Sequence, residues 1–310
     1  MSAATALRPL WIAGLTECKG SRRVTTDSFL RAKLVHVNSP PIAGSFTLFV
    51  GNRAKLAEFF CHEADRFSSA AFESLLAEVV RPTFPRFTGW QLIKGYYAGF
   101  FALHSLMRLH GWACTRLTAD ASAKLEKEGK LFFPNGEKIS AGMYMVKTGT
   151  TSSELSFTSL AAFKGGSHEA LWGVLFEFLT EITTITLTNP VDQQANQQLV
   201  DSVIAFRTLL QKNGGPQWLT QVRNKVNYAH EFGAWHPYGG STCDSARVTQ
   251  ALERWKEEPS DVMVKGTADE VLQFCEACAF LVSLCRTTIK DLAFRATANS
   301  PVRTTGRLLS

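Results

Sequence analysis

The chain has 310 residues, 45% hydrophobic and 19% charged, and 33 Lys+Arg against 27 Asp+Glu give a net charge of +6. This is the composition of an ordinary soluble protein, long enough for two modest domains or one elaborated one, and its basic balance allows a polyanionic partner without requiring one. Seven cysteines, at 18, 61, 114, 243, 275, 278 and 285, are odd in number, scattered and preceded by no secretory signal. That argues against a disulfide framework and for a reducing, cytoplasmic compartment.

Residues 1–42 read as loops with a short strand at Leu34–Val37, broken at Ser39-Pro40-Pro41. Ser45–Val50 reads as a buried strand, after which Asn52 caps an amphipathic helix to about Phe67. A second helix follows over Ser69–Val80 and ends before Pro82 and Pro85. Residues 88–111 read as one long helix, apolar nearly all round, with Trp90, Ile93, Tyr97, Phe100 and Met107 on one side and Leu92, Tyr96, Leu103 and Leu106 on another. Such a helix belongs at the centre of a bundle, and Gly95 and Gly99, four residues apart, open a groove on it.

A charged helix is expected over Leu117–Lys127, after which the pattern turns extended. Tyr144 and Val146, then Leu155 and Phe157, alternate with polar neighbours on either side of Gly149–Ser153, which reads as a β-hairpin inserted near 139–160 into a helical protein. Helices follow over His168–Leu187, Val191–Lys212, from Pro216, over Ser245–Trp255 and from Asp269 to about Phe294, with a polar turn at Tyr238–Thr242. Cys275 and Cys278 spell C-x-x-C but share a helical stripe with Val282 and Cys285 and have no second ligand pair, so they read as core residues. The apolar run Cys275–Cys285 is too short to span a bilayer, so no membrane anchor is expected. Residues 299–310 read as a polar, basic, flexible tail.

The stretch GGPQWLTQVRNKVNYAHEFGAWHP, residues 214–237, carries the chemistry. Pro216 suits a first helical position, and Gly233 with Pro237 supplies a stop. On that helix Trp218, Leu219, Val222 and Val226 form an inward face, leaving Arg223, Asn224, Asn227 and His230 on a polar edge. Positions i, i+4 and i+7 place Arg223, Asn227 and His230 on one stripe about 10 Å long. Imidazole exchanges a proton near neutrality and guanidinium offers a fixed fork to phosphate oxygens, which suits phosphodiester chemistry. An RNA 2′-hydroxyl deprotonated by His230 can attack its own phosphate while Arg223 stabilises the developing charge and the Asn amides position it, with no metal and no cofactor. Arg31 and His36 form a decoy pair in a segment without clear helical pattern. His104 and His110 read as packed or helix-end residues, and His236 as a loop residue.

The segment Arg223-Asn224-Lys225-Val226-Asn227-Tyr228-Ala229-His230 resembles the Arg-x4-6-His motif of the HEPN domain family, whose ribonuclease members often carry Asn after the Arg. YYAGFFALHSLMRLHG, residues 96–111, is similar to the aromatic-rich core helix of such domains, and Asp269–Phe294 to their closing helix. The resemblance covers about residues 88–294 and departs from the compact family pattern in the long interval from Tyr96 to Arg223. It implies a mainly α, HEPN-like helical bundle at 87–298, with residues 1–86 an N-terminal α/β extension. It further implies a homodimer that cleaves RNA without metal and leaves a cyclic phosphate, often in toxin or antiphage systems with an inhibitor or sensor protein. A catalytically silent HEPN-like module that binds nucleic acid or protein is the alternative reading. Because helical side chains lean toward the N-terminus, Arg223 is expected to point away from His230 of its own chain, which calls for a composite site made by two antiparallel copies.

Overall fold

In the computed structural model the described residues are 3–20, 26–32, 35–76, 88–163, 166–235, 243–263, 267–307 and 309. The helices among them are α1 (Ala3–Leu7), α2 (Thr26–Arg31), α3 (Arg53–Leu76), α4 (Thr88–Leu109), α5 (Ala119–Phe132), α6 (Gly166–Thr188), α7 (Gln193–Lys212), α8 (Trp218–Tyr228), α9 (Ser245–Glu253), α10 (Pro259–Val262), α11 (Glu270–Arg295) and α12 (Val302–Arg307). The strands are β1 (Val35–Val37), β2 (Ser45–Val50), β3 (Trp112–Leu117), β4 (Gly142–Lys147) and β5 (Glu154–Ser159). The chain is therefore mainly α, as its periodicity implies.

Local chemistry accounts for several helix starts. Thr118, Asp192 and Asp244 each accept a hydrogen bond from a backbone N–H of the first turn of α5, α7 and α9, and Asp269 accepts from Val271 and Leu272 at the head of α11. Each such cap is worth about 1 kcal/mol. Asn52 caps α3 as expected, through Lys55 N–H. The break expected near Ser69 is absent: α3 is one helix of 24 residues. Phe67-Ser68-Ser69 contains neither Gly nor Pro, and Ser68 is buried, so nothing stops the turn there. Pro82 and Pro85 lie outside the described residues.

The residues group into two units. A helical unit comprises Met1–Pro9, Phe67–Leu103 and Leu175–Asp291, and a sheet unit comprises Leu10–Arg66, His104–Val174 and Leu292–Ser310. The core of the helical unit is aromatic: Phe206 packs on Phe280 with ring centroids 4.8 Å apart, and Trp218 meets Phe274 edge-on at 6.3 Å. The groove expected on α4 is filled. A Cβ on Gly95 would meet Leu252 at 2.7 Å, and one on Gly99 would meet the Cys278 backbone at 3.3 Å, so α9 and α11 approach α4 as closely as they do because both side chains are missing.

Cys275 and Cys278 are buried on α11, and burial pushes both thiols up from their ordinary range. Among the described residues no group of three or more His, Cys, Asp or Glu gathers as a metal site. The run Cys275–Cys285 belongs to the 26-residue α11, which, like α6, has the length and composition to cross a membrane. The apolar window of α11 is 94% buried within the chain, against 50% for α6, which makes α11 a core helix.

In the sheet unit the expected hairpin is present, β4 with β5, but it is not an insertion. It forms the middle of a five-stranded antiparallel sheet ordered β1-β2-β5-β4-β3. Phe46 of β2 stands opposite Phe157 of β5, their rings stacked at 4.8 Å, and Cys114 of β3 stands opposite Met145 of β4. β3 escapes a periodicity search because its first three residues are all buried, without alternation, and it follows α4 after only His110 and Gly111, the glycine left-handed at φ 79. The decoy pair is spent structurally: Arg31 bonds Asp120, and His36 lies 2.9 Å from Glu128.

The C-terminal segment is a correction. Rather than a loose tail it carries α12, with Val302 and Thr305 buried and the Thr305 hydroxyl donating to Asp65 at 2.6 Å.

Candidate functional site at the end of α8

The site lies in the helical unit, where α8 is held by its apolar stripe: Trp218, Leu219, Val222 and Val226 are all buried, as the spacing requires. Arg223 emerges half-buried from the next row. Its guanidinium carbon lies 5.2 Å from the centroid of the Tyr96 ring on α4, and its Nη1 donates to Asn224 Oδ1 at 2.8 Å. Tyr96 is itself fixed, because its hydroxyl lies 3.1 Å from that of Thr220 on α8. A cation stacked on an aromatic face keeps its charge while its side-chain freedom is removed. Asn224 thus acts on Arg223, and Asn227 lies half-buried one turn further along.

The three-residue helical stripe is corrected at its far end. α8 stops at Tyr228, five residues before the Gly233 stop, and His230 lies beyond it in the left-handed region at φ 53, ψ 29. Phe232 follows at φ 65, and His230 is exposed. Left-handed backbone costs a non-glycine residue about 1 kcal/mol or more, and an aromatic there is an outlier. Two such residues within three persist only where the surroundings over-determine them.

The surroundings do so through Trp235. Its indole N–H donates to the carbonyl of Val226 at 2.6 Å, closing one of the acceptors that a helix leaves open at its C-terminus. The carbonyl of its neighbour Ala234 accepts from the backbone N–H of Gly89 at 2.8 Å, in the first turn of α4. Gly89 is needed there, since a Cβ would lie 2.6–2.8 Å from the Trp235 ring. Lys225 adds a further tie, 3.8 Å from Glu231 and 3.4 Å from Glu270. The turn carrying His230 is therefore bound at both ends, to α8 and to α4.

No family model, no curated protein and no solved structure matches the chain.

Tyr96, Thr220, Gly89 and Trp235 were not legible as site residues. Each acts across sequence intervals of 124 to 146 residues or through a backbone atom, and no local pattern reports such a contact. Trp90 departs from expectation in another way: counted with the packed face of α4, it is 55% exposed. His104 and His110 are buried, and the guanidinium of Arg108 lies 2.9 Å from His104 Nδ1. His236, Pro237 and the Tyr238–Thr242 turn lie outside the described residues.

Proposed function

We propose that the chain is a HEPN-type endoribonuclease that cleaves RNA by attack of the 2′-hydroxyl on the adjacent phosphate, with Arg223, Asn224, Asn227 and His230 as its site. The observation that carries this reading is the strained turn at His230 and Phe232, closed by Trp235. It spends conformational energy to hold an imidazole in solvent beside the helix that carries an oriented guanidinium, and such strain concentrates where chemistry is done. His230 takes the proton from the 2′-hydroxyl as the oxygen attacks phosphorus and the bond to the 5′-oxygen breaks, the departing oxygen taking a proton from solvent to become the 5′-hydroxyl. Arg223 meets the charge that grows on the phosphate oxygens. Asn224 holds the guanidinium, and Asn227 offers an amide to the same phosphate.

In this reading the helical unit is the HEPN-like part, α4 its core helix and α11 its closing helix. The protein works in the cytoplasm on RNA as a homodimer, in a toxin or antiphage role, under an inhibitor or a sensor. The helix-direction argument for a composite site no longer applies, because His230 has left the helix. The second copy is proposed from the resemblance alone. A silent binding module remains the competing reading, since Arg223 is partly committed to Asn224 and Tyr96.

The two separate on one assay. Purified protein is incubated with total RNA in excess chelator, beside Arg223→Ala and His230→Ala of unchanged circular dichroism. Cleavage by the parent, lost about a hundredfold or more in each variant, supports the nuclease. Cleavage abolished by chelator and restored by Mg²⁺ contradicts it, and binding without cleavage assigns the silent module.

A further inference from the structure

We propose that Trp90 is a stacking platform for an unpaired nucleobase next to the scissile phosphate, so that the site takes single-stranded RNA. The proposal rests on the RNA-cleaving reading and deepens it. Trp90 is the third residue of α4, and it is 55% exposed, an unusual placement for the largest apolar side chain. The ring is nevertheless fixed. It meets Trp235 at 5.5 Å with an interplanar angle of 85°. Trp235 is in turn pinned to the Val226 carbonyl and seated against Gly89. An exposed aromatic with no role would gain nothing from so rigid a mount.

Its position suits one strand. The mount is the residue that closes the His230 turn, so Trp90 and His230 share a single support. Along α4, Trp90 and the Tyr96 ring that carries Arg223 are six residues apart, about 9 Å of helix rise and about 120° around the helix, so they stand on different sides of it. The charge next to it is complementary to a phosphate backbone. Lys94, one turn along α4 and neighbour to Trp90 at i+4, lines a surface depression with Gln91, Thr249 and the Lys256–Glu253 ion pair, 3.3 Å apart, which leaves one net positive charge among its lining residues. A base stacked on an aromatic ring with its phosphates beside Lys and Arg is the usual recognition of single strands, and it is closed to a duplex, whose bases are already stacked.

The test uses the full chain carrying His230→Ala and a fluorescent 2′-O-methyl oligoribonucleotide, which no 2′-hydroxyl mechanism can cut, offered single-stranded and as a duplex. Adding Trp90→Ala is expected to weaken single-strand binding about fivefold or more, while Trp90→Phe keeps most of it and duplex binding changes by less than twofold. Equal affinity of the parent for both forms, no measurable single-strand binding, or a Trp90→Ala loss that is the same on both forms overturns the platform. So does a Trp90→Ala protein that sediments as a smaller species than its parent, because Trp90 then belongs to a protein interface. Cleavage by the unaltered chain is scored separately. Trp90-dependent single-strand binding without cleavage removes the nuclease reading and keeps the platform, and cleavage with Trp90-independent binding does the reverse.

Discussion

His110, at the end of α4, donates its Nδ1–H to the carbonyl of Leu106 at 2.7 Å, and burial pushes its imidazole down to about 4. Burial, and then the Arg108 cation beside it, hold His104 well below the ordinary histidine range as well. A histidine that titrates near 6.5 in the unfolded chain but near 4 in the folded one binds its proton more readily when unfolded. Its contribution is fully present above pH 6.5 and is lost as pH falls toward 4, by about 3 kcal/mol for a depression of this size. Urea unfolding at pH 7.5 and pH 5 is expected to show about 2 kcal/mol of that loss from His110, with His104 adding its own, and His110→Gln should shrink the difference between the two pH values by about that amount. An unchanged slope with pH in the variant counts against His110 as its source. Packing was readable for this residue and for the C-x-x-C cysteines, because both lie on helices with no polar stripe. The exposure of Trp90 was not, since helical periodicity reports which row a residue occupies and not whether a neighbour covers that row.

At the scale of elements, α8 shows how far pattern carries. Its apolar stripe set the helix and its buried face, but its end is fixed by Trp235, which lies nine residues away from the carbonyl it caps. Gly89→Ala tests that clamp. Its Cβ would overlap the Trp235 ring, so RNA cleavage is expected to fall about tenfold or more while the thermal midpoint drops by only a few degrees. Full activity in this variant would mean that the clamp does not position His230. The sheet was half legible: β2 and the hairpin show alternation, whereas Trp112, Ala113 and Cys114 at the start of β3 are buried in succession and show none. The C-terminal segment is polar in composition, which hides its docking through buried Ser300, Val302 and Thr305 and a hydrogen bond from Thr305 to Asp65. Deleting residues 299–310 is expected to lower the thermal midpoint by about 5 °C or more. A midpoint within 1 °C or so of the parent would contradict the docking.

For the whole molecule, neither unit is a continuous stretch of sequence, so no linker, composition shift or proline-rich boundary announces them. The expected division into an N-terminal extension, a helical domain and a tail follows the chain, whereas the two units each draw on three separate stretches. The dimer is also a question at this scale. If Arg223 and His230 of different copies form one site, mixing Arg223→Ala with His230→Ala protein should restore part of the activity, since a mixed dimer keeps one intact pair. No recovery on mixing, with exchange verified by sedimentation of tagged copies, places both groups in a single chain.

The proposed function turns on attack by the 2′-hydroxyl of an RNA substrate. The most direct measurement is the chemistry of the cut ends after digestion of a defined single-stranded RNA in excess chelator, together with the same RNA carrying one 2′-deoxynucleotide at the main cut. A 2′,3′-cyclic phosphate on one fragment, a 5′-hydroxyl on the other, and no cut at the 2′-deoxy position are expected from this attack. A 5′-phosphate with a 3′-hydroxyl, or cleavage that continues at the 2′-deoxy position, would contradict it.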